Sequence, residues 1–157
     1  MKYNRSKLVE LLTIRTGCPK IKAKKFLYDF VGAVNIKLHN GVNVNLFSIC
    51  EINIYQGTKA LSISSAGICA ELSSPYYSNI DALTFERELQ DIIIELLRER
   101  KRVVITGLCS LYINKRNRVA SESSSELRDY FIDRKIRIRM NPITKDILNG
   151  YLEEAIC

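Results

Sequence analysis

Apolar positions in the first 55 residues are spaced first as in helices and then as in strands. One apolar face recurs with helical spacing over residues 5 to 14 and again over residues 20 to 39, which predicts two helices. Thr16-Gly17-Cys18-Pro19 separates them, because glycine and proline interrupt helices. Residues 42 to 55 place apolar side chains at every second position, which predicts a β-hairpin with its turn near residues 47 to 50.

A second set of elements follows in the same order. Residues 64 to 73 have the spacing of a weak helix, residues 80 to 100 that of a long amphipathic helix, and residues 102 to 113 that of another hairpin. The two hairpins carry Cys50 and Cys109 at matching positions. The chain is therefore expected to be an internal duplication of helix, helix and hairpin, with a period of roughly 60 residues.

Only the second set continues into a tail. Residues 114 to 135 are polar and rich in serine, which indicates a loop or an extended ribbon. Residues 136 to 140 alternate as in a strand. Asn141-Pro142 then opens a helix expected over residues 143 to 156, since proline suits the first helical position.

These boundaries divide the chain into two units. The first is expected over residues 1 to 57, with its arm and last helix missing or reduced, and the second over residues 64 to 157. Residues 58 to 63 lie between them and form either a linker or a residual return strand of the first unit. The sequence leaves both alternatives open.

The composition is that of a globular chain with a basic bias. The 157 residues are 46% hydrophobic, which is enough for a packed core, and they carry a formal net charge of +7. Residues 1 to 57 hold nine Lys and Arg against three Asp and Glu, whereas the rest of the chain is nearly neutral. Such a balance favours a polyanion partner only weakly.

Several other classes of protein are not expected. No apolar run approaches the ~20 residues of a membrane-spanning helix, and the amino-terminal segment lacks the apolar core of a signal peptide, so a cytoplasmic location is expected. Five cysteines without a CxxC pair, and a single histidine, predict buried thiols rather than a zinc site or a disulfide framework. No phosphate-binding glycine loop or nucleophile motif is present, so neither a cofactor nor an enzymatic activity is expected.

Three stretches of the chain occur in the order found in one family of DNA-bending proteins. They are residues 4 to 55, with a threonine-glycine break between helices, residues 103 to 112 (VVITGLCSLY), with a glycine in the hairpin turn, and residues 135 to 148 (KIRIRMNPITKDIL). In this order they resemble the HU/integration-host-factor family, and the last stretch is similar to the family's third strand and last helix.

The resemblance implies an α+β fold of two tandem HU-like units, each helix-helix-hairpin. Within one polypeptide they would form the pseudo-dimeric helical base and the β-saddle that family members build as dimers. A homodimer of two chains remains an alternative. Family members bend DNA with a long ribbon arm whose tip proline wedges between base pairs. The short arm candidate here, residues 114 to 135, contains no proline, so sharp bending is not expected.

Phosphate contacts are predicted at basic residues of the tail. In the strand, the isoleucines share one face and Lys135, Arg137 and Arg139 the other, so the cations lie ~6.5 to 7 Å apart and are suited to a phosphate backbone. An edge strand protected from aggregation by its charges is the alternative. Lys145 is a further candidate, because free N-H groups in the first turn of the last helix attract anions. The remaining candidates, for which a solvated linker is an equal alternative, are Lys115, Arg116 and Arg118.

A second basic cluster opens the long helix at residues 20 to 39. Cations in the first turns of a helix are unfavourable beside the helix dipole. That cost indicates a use, although a solvated helix face explains the cluster more simply. Its members are Lys20, Lys22, Lys24 and Lys25.

The sequence thus predicts a non-enzymatic, nucleoid-associated, HU-like architectural protein. It would bind double-stranded DNA through backbone phosphates with little sequence specificity. The alternative is a structural or interaction protein that keeps the fold, has lost DNA binding and holds a protein partner. The near-neutral second half and the acidic, serine-rich arm favour this alternative. No small-molecule ligand, metal or membrane partner is expected.

Overall fold

The computed structural model describes residues 2–55, 61–130 and 135–154. In this part of the chain six helices and two four-stranded sheets of mixed orientation form an α+β architecture. The elements are, in order, β1 (Lys2–Tyr3), α1 (Arg5–Thr16), α2 (Lys20–His39), β2 (Asn43–Leu46), β3 (Cys50–Tyr55), β4 (Ser62–Ser64), α3 (Ser65–Glu71), α4 (Asn79–Arg98), β5 (Arg102–Ile105), β6 (Cys109–Ile113), β7 (Val119–Ser123), α5 (Ser125–Tyr130), β8 (Lys135–Met140) and α6 (Pro142–Glu154).

The helices and hairpins of both sets lie where the apolar spacing predicts them. The long helices α2 and α4 are 20 residues each, and both hairpins have the expected turns. The short helices α1 and α3 begin alike, because the side chains of Asn4 and Ser64 accept hydrogen bonds from the backbone N-H groups of Lys7 and Gly67. No described helix is both long enough and apolar enough to span a bilayer.

The two sheets share one plan. Their strand orders are β1-β5-β6-β7 and β4-β2-β3-β8, so that in each a hairpin is flanked by an antiparallel strand on one side and a short parallel strand on the other. The parallel strands are exchanged between the sets. β1, which leads into α1, pairs with the second hairpin, and β4, which leads into α3, pairs with the first.

The arm expected over residues 114 to 135 needs correction. Residues 119 to 123 form β7, which pairs antiparallel with β6, and residues 125 to 130 form α5. The inward positions of β7 hold Val119 and two serines, Ser121 and Ser123, opposite Leu111 and Cys109 of β6. Because serine fills positions that face the core, the strand lacks the apolar alternation by which it would be recognised.

The return strand also differs from its expected place. The prediction attached it to the second unit, but β8 pairs with β3 of the first hairpin, with Ile138 opposite Ile52. β7 already occupies the outer edge of β6, so the tail completes the other sheet. The division of the chain into units at residues 1–57 and 64–157 itself stays a prediction.

The segment between the two sets is not a return strand of the first unit. Its described part, β4, runs parallel to β2, whereas a return strand would lie antiparallel beside β3. That position belongs to β8. Residues 56–60, which include the first half of the expected linker, lie outside the described residues.

Both sets of elements contribute to one apolar core. The ring of Phe26 on α2 lies 5.1 Å from that of Phe85 on α4 and 5.7 Å from that of Phe30, centroid to centroid. Phe30 in turn lies 5.3 Å from Phe47 in the first hairpin turn. All four side chains are almost completely buried. The first and second sets are therefore expected to unfold together.

Two consecutive buried hydrogen bonds connect three elements in this core. Glu86 on α4, the only charged side chain buried among the described residues, accepts a 2.7 Å hydrogen bond from the Ser65 hydroxyl. The same hydroxyl accepts a 2.9 Å bond from the backbone N-H of Phe47. A buried carboxylate without partners would be costly, so these hydrogen bonds fix α3 against α4 and the first hairpin turn.

Three of the cysteines are buried, as predicted. Burial raises the pKa of the Cys69 thiol to about 12, with a smaller contribution from the charge of Glu86. The pKa of Cys50 is raised well above its usual value, mainly by a hydrogen bond with Cys109 and to a smaller extent by burial. The thiols of Cys50 and Cys69 are therefore neutral near pH 7 and contribute packing rather than nucleophiles. Cys18 is half-buried, and Cys157 lies outside the described residues.

Replacing Phe26 with alanine tests the shared core. Phe26→Ala should lower the free energy of unfolding by about 3 to 5 kcal/mol, because a cavity opens where three aromatic side chains meet. Guanidinium unfolding followed by circular dichroism should still show one transition. Tyr28→Ala, on the exposed side of the same helix, is the matched control and should change little. Two separate transitions in the Phe26 variant would contradict a single core.

Candidate nucleic-acid interface

β8 has the two faces that its sequence predicts. Ile136 and Ile138 are half-buried and pack against the core, whereas Arg137 and Arg139 are exposed on the opposite face. The ladder with β3 fixes this orientation, because a shift of one residue would turn the arginines inward. Lys135 is described only as backbone, in register with Tyr55.

A groove runs between β7 and β8, which lie side by side at the facing edges of the two sheets. Its volume is about 860 Å³, and Asp146 is its only carboxylate among the described residues. Four of the seven predicted phosphate contacts line it: Arg116, Arg118, Arg139 and Lys145. Its charge suits an anion, and no cluster of metal-ligating side chains occurs in the described part of the chain. Lys115 and Arg137 are exposed outside the groove lining.

A tight turn between β6 and β7 holds two of these arginines. The Asn114 side-chain oxygen accepts 3.0 Å hydrogen bonds from the backbone N-H groups of both Arg116 and Arg118. Asn117 takes the left-handed conformation that the turn requires, with φ of 62°, which asparagine tolerates better than most residues. The Arg100 guanidinium donates to the Asn117 side-chain oxygen, so the turn is also fixed from outside. The solvated linker that was the equal alternative for these residues is thus a short ordered turn.

Arg118 has a partner within the chain. Its guanidinium lies 2.7 Å from a carboxylate oxygen of Glu153 on α6, and both side chains are about half exposed. An exposed pair of this kind contributes only ~0 to 1 kcal/mol, so a stronger anion can displace the carboxylate. Glu153 is therefore an internal competitor for any ligand of Arg118.

Lys145 lies in the first turn of α6, but the free N-H groups expected beside it are not available. The Asn141 side-chain oxygen accepts from the backbone N-H groups of Ile143, at 3.0 Å, and Thr144, at 3.2 Å. Pro142 has no N-H group, and the Lys145 N-H bonds the Asn141 carbonyl. Asn141 thus caps the helix so completely that Lys145 offers an anion its ammonium group alone.

Asparagines on the same sheet face were missed by reasoning from the sequence. Asn45 on β2 and Asn53 on β3 face outward with Arg137 and Arg139, since these residues alternate with the buried ones. The side-chain oxygens of both asparagines are nevertheless buried, and they have no hydrogen-bond partner in the described residues. The alternation of asparagine with apolar residues in VNVNL and EINIY was the available signal. The outward face therefore carries amides and a carboxylate, Glu51 opposite Arg139, as well as cations.

The outward face of the other sheet is neutralised internally. Arg102 on β5 pairs with Glu122 on β7 at 3.1 Å, and its guanidinium lies over the Tyr112 ring at 4.5 Å. With Arg102 engaged in this way, the described part of the β1-β5-β6-β7 sheet offers little free positive charge apart from the exposed Lys2 on β1. The two sheets thus share a plan but present different surfaces, and the exposed cations of the candidate interface lie on β8 and around the groove.

The capping role of Asn141 can be tested directly. Asn141→Ala should lower the free energy of unfolding by about 1 kcal/mol, because two first-turn N-H groups lose their acceptor. Asn141→Asp keeps an acceptor and should retain most of the stability. Thermal unfolding of the two variants measures the difference. Equal destabilisation by both would show that capping is not what this residue contributes.

Comparison with known proteins leaves the family of this chain open. No family model matches the sequence, and no curated protein matches it. The resemblance to the HU/integration-host-factor family therefore stays a prediction. Function is accordingly inferred from the groove and from the strands that form it.

Proposed function

We propose that this chain is a non-enzymatic, HU-like architectural DNA-binding protein that contacts the phosphates of double-stranded DNA with little sequence specificity. The observation that carries the proposal is the convergence of Arg116, Arg118, Arg139 and Lys145 on one groove. These residues come from the β6–β7 turn, from β8 and from α6, which are separate segments of the tail. A cytoplasmic, nucleoid-associated location belongs to the same proposal.

The repeated plan of the sheets supports two tandem HU-like units within one chain. In both sheets an antiparallel strand flanks the hairpin, β8 in one sheet and β7 in the other. The residue after this strand donates its N-H to a carbonyl in the hairpin turn, Asn141 to Ile49 at 2.7 Å and Ser124 to Leu108 at 2.9 Å. Each of these residues also caps the helix that follows it. In the proposed pseudo-dimer the tail supplies a third strand and a helix to both units.

The groove chemistry favours phosphates over other anions. Guanidinium groups form paired, charge-assisted hydrogen bonds with phosphate oxygens, and three of the four groove cations are arginines. Duplex DNA carries one charge per ~1.7 Å, so a row of cations meets several phosphates at once. Contacts to phosphates position a protein on DNA without specifying a base sequence, in line with the proposed low specificity.

Binding without a sharp kink is part of the proposal. The connection between β6 and β7 is a short turn without proline, so no ribbon arm extends from the second hairpin to carry a wedge between base pairs. Pro142 lines the groove as the first residue of α6, where it serves the helix start. DNA would therefore lie across the sheets and be held by its backbone.

The groove assignment predicts a large loss of DNA affinity in a double variant. Arg116→Ala/Arg139→Ala should weaken binding to a ~30-base-pair duplex by roughly 50-fold at ~0.1 M salt and should reduce the salt slope by about 2, because two phosphate contacts disappear. Fluorescence anisotropy across a series of salt concentrations measures both quantities.

The matched control removes two positive charges elsewhere. Arg87→Ala/Lys101→Ala lies on α4 and at its end, away from the groove lining, and should change affinity much less. Equal losses in both variants would show that net charge, not the groove, governs binding. No binding by the folded wild-type chain at low salt would reject DNA binding and favour the interaction-protein alternative.

Glu153 provides a test in the opposite direction. Glu153→Gln should raise DNA affinity about two- to fivefold, because it releases Arg118 from an exposed ion pair. Glu154→Gln removes the same charge from a neighbouring residue that forms no ion pair among the described residues, so it is the matched control. The gain should vanish in an Arg118→Ala background. An equal gain from the control would attribute the effect to net charge.

A further inference from the structure

The four lysines at the start of α2 fall into two pairs in the structure. The ammonium group of Lys22 lies 3.7 Å from a carboxylate oxygen of Asp81, and that of Lys25 lies 5.2 Å from the centre of a tyrosine ring. Lys20 and Lys24 are exposed and have neither an ion pair nor a ring contact among the described residues. Because residues four apart share one side of a helix, these two lysines lie on the same side of α2.

Lys20 and Lys24 line a cavity of about 450 Å³. It is formed by the start of α1, the start of α2 and the turn of the second hairpin, and it shares no lining residue with the groove. Arg5, the first residue of α1, adds a third cation and also has no ion pair among the described residues. No carboxylate occurs among the described residues that line the cavity. Three positive charges thus converge on one concave site.

Uncharged hydrogen-bond donors line the same cavity. Ser6 and Thr106 contribute hydroxyl groups, and Asn4 contributes an amide. The side-chain oxygen of Asn4 accepts a 3.3 Å hydrogen bond from the backbone N-H of Lys7, so its NH₂ group remains as a donor. Val9 is the one apolar residue of the described lining, which contains no aromatic ring on which a base could stack. Donors and positive charge together suit an anion that carries several oxygens.

The repeated fold does not require cations at this place. Counted from the start of each helix, the three cations correspond to three uncharged residues of the second set, Ser65, Asn79 and Leu83. There the Ser65 hydroxyl is buried and accepts the hydrogen bond from the backbone N-H of Phe47 in the hairpin turn. The cations are therefore a feature of the first set alone. Those on α2 also oppose its dipole, a cost that a bound anion would offset.

We propose that this cavity binds a compact ligand with two or more phosphate groups, such as the diphosphate or triphosphate chain of a nucleotide. Arg5, Lys20 and Lys24 would neutralise its charge. A single phosphate monoester carries a charge of about −2, so three cations match more than one phosphate group. The cavity has the size of small-molecule sites, which are roughly 300 to 1,000 Å³. Its concave shape favours a compact ligand over the extended backbone of DNA, and its separation from the groove makes it independent of DNA binding there.

Inorganic pyrophosphate is the probe that tests this site. At ~0.05 M salt the amide chemical shifts of Ser6 and Thr106, followed by heteronuclear NMR, should give a Kd below ~1 mM. Lys20→Ala/Lys24→Ala should weaken this binding at least ~tenfold, because two charged contacts to phosphate are lost. The matched control, Lys22→Ala/Lys25→Ala, removes the same charge from the same helix at positions outside the cavity lining and should bind like the wild type.

The groove variant Arg116→Ala/Arg139→Ala separates the two sites, and its shifts at Ser6 and Thr106 should report unchanged pyrophosphate binding whatever its affinity for DNA. Absence of these shifts in the folded wild type at ~5 mM pyrophosphate would overturn the proposal. So would equal weakening in the matched control or in the groove variant. If Lys20→Ala/Lys24→Ala lost affinity for the duplex but not for pyrophosphate, these lysines would belong to a DNA contact instead. Circular dichroism of each variant checks that the fold is kept.

Discussion

The pairing of β8 with β3 is the contact on which the cationic groove depends. It joins Cys50 to Met140 across most of the chain and sets the two arginine-bearing segments of the tail beside each other. β7 fills the edge of β6, so β8 completes the first hairpin, and its side chains then face the β6–β7 turn across the groove. Arg116 and Arg139 would otherwise lie on unrelated surfaces. Closing the long loop between β3 and β8 costs little more conformational entropy than closing a shorter loop would, because this cost grows slowly with loop length.

A rigid base holds the groove in place. The aromatic core and the Ser65–Glu86 hydrogen bond hold the helices against the first hairpin. At the surface, asparagine side chains accept the hydrogen bonds that fix a turn and a helix start. Asn114 shapes the turn that carries Arg116, and Asn141 ends β8 and begins α6. The cations are thus attached to backbone that is already hydrogen-bonded. Binding a ligand therefore costs less conformational entropy at the site, which suits contacts to a regular phosphate backbone.

The charge of the chain is sorted by surface rather than spread evenly. The net charge of +7 is distributed over a basic groove, a second sheet whose arginine is paired, and a basic cluster at the start of α2. The second half is nearly neutral overall, but its carboxylates lie mainly on helices, while Arg137 and Arg139 lie on a sheet face. In the proposed function, such sorting concentrates positive charge on the side of the molecule that would meet a polyanion.

The sequence by itself determined the helices and hairpins of the two sets, α6 and the two faces of β8, but not α5, because these follow from the spacing of apolar residues along a local segment. It also supplied the cations that line the groove. Only the tertiary structure decided that β7 exists, that β8 joins β3 and that Asn141 occupies the N-H groups beside Lys145. Strand partners are chosen between distant segments, and inward serines and capping asparagines leave no periodic trace. Those choices depend on which edges remain free once the rest of the chain has packed.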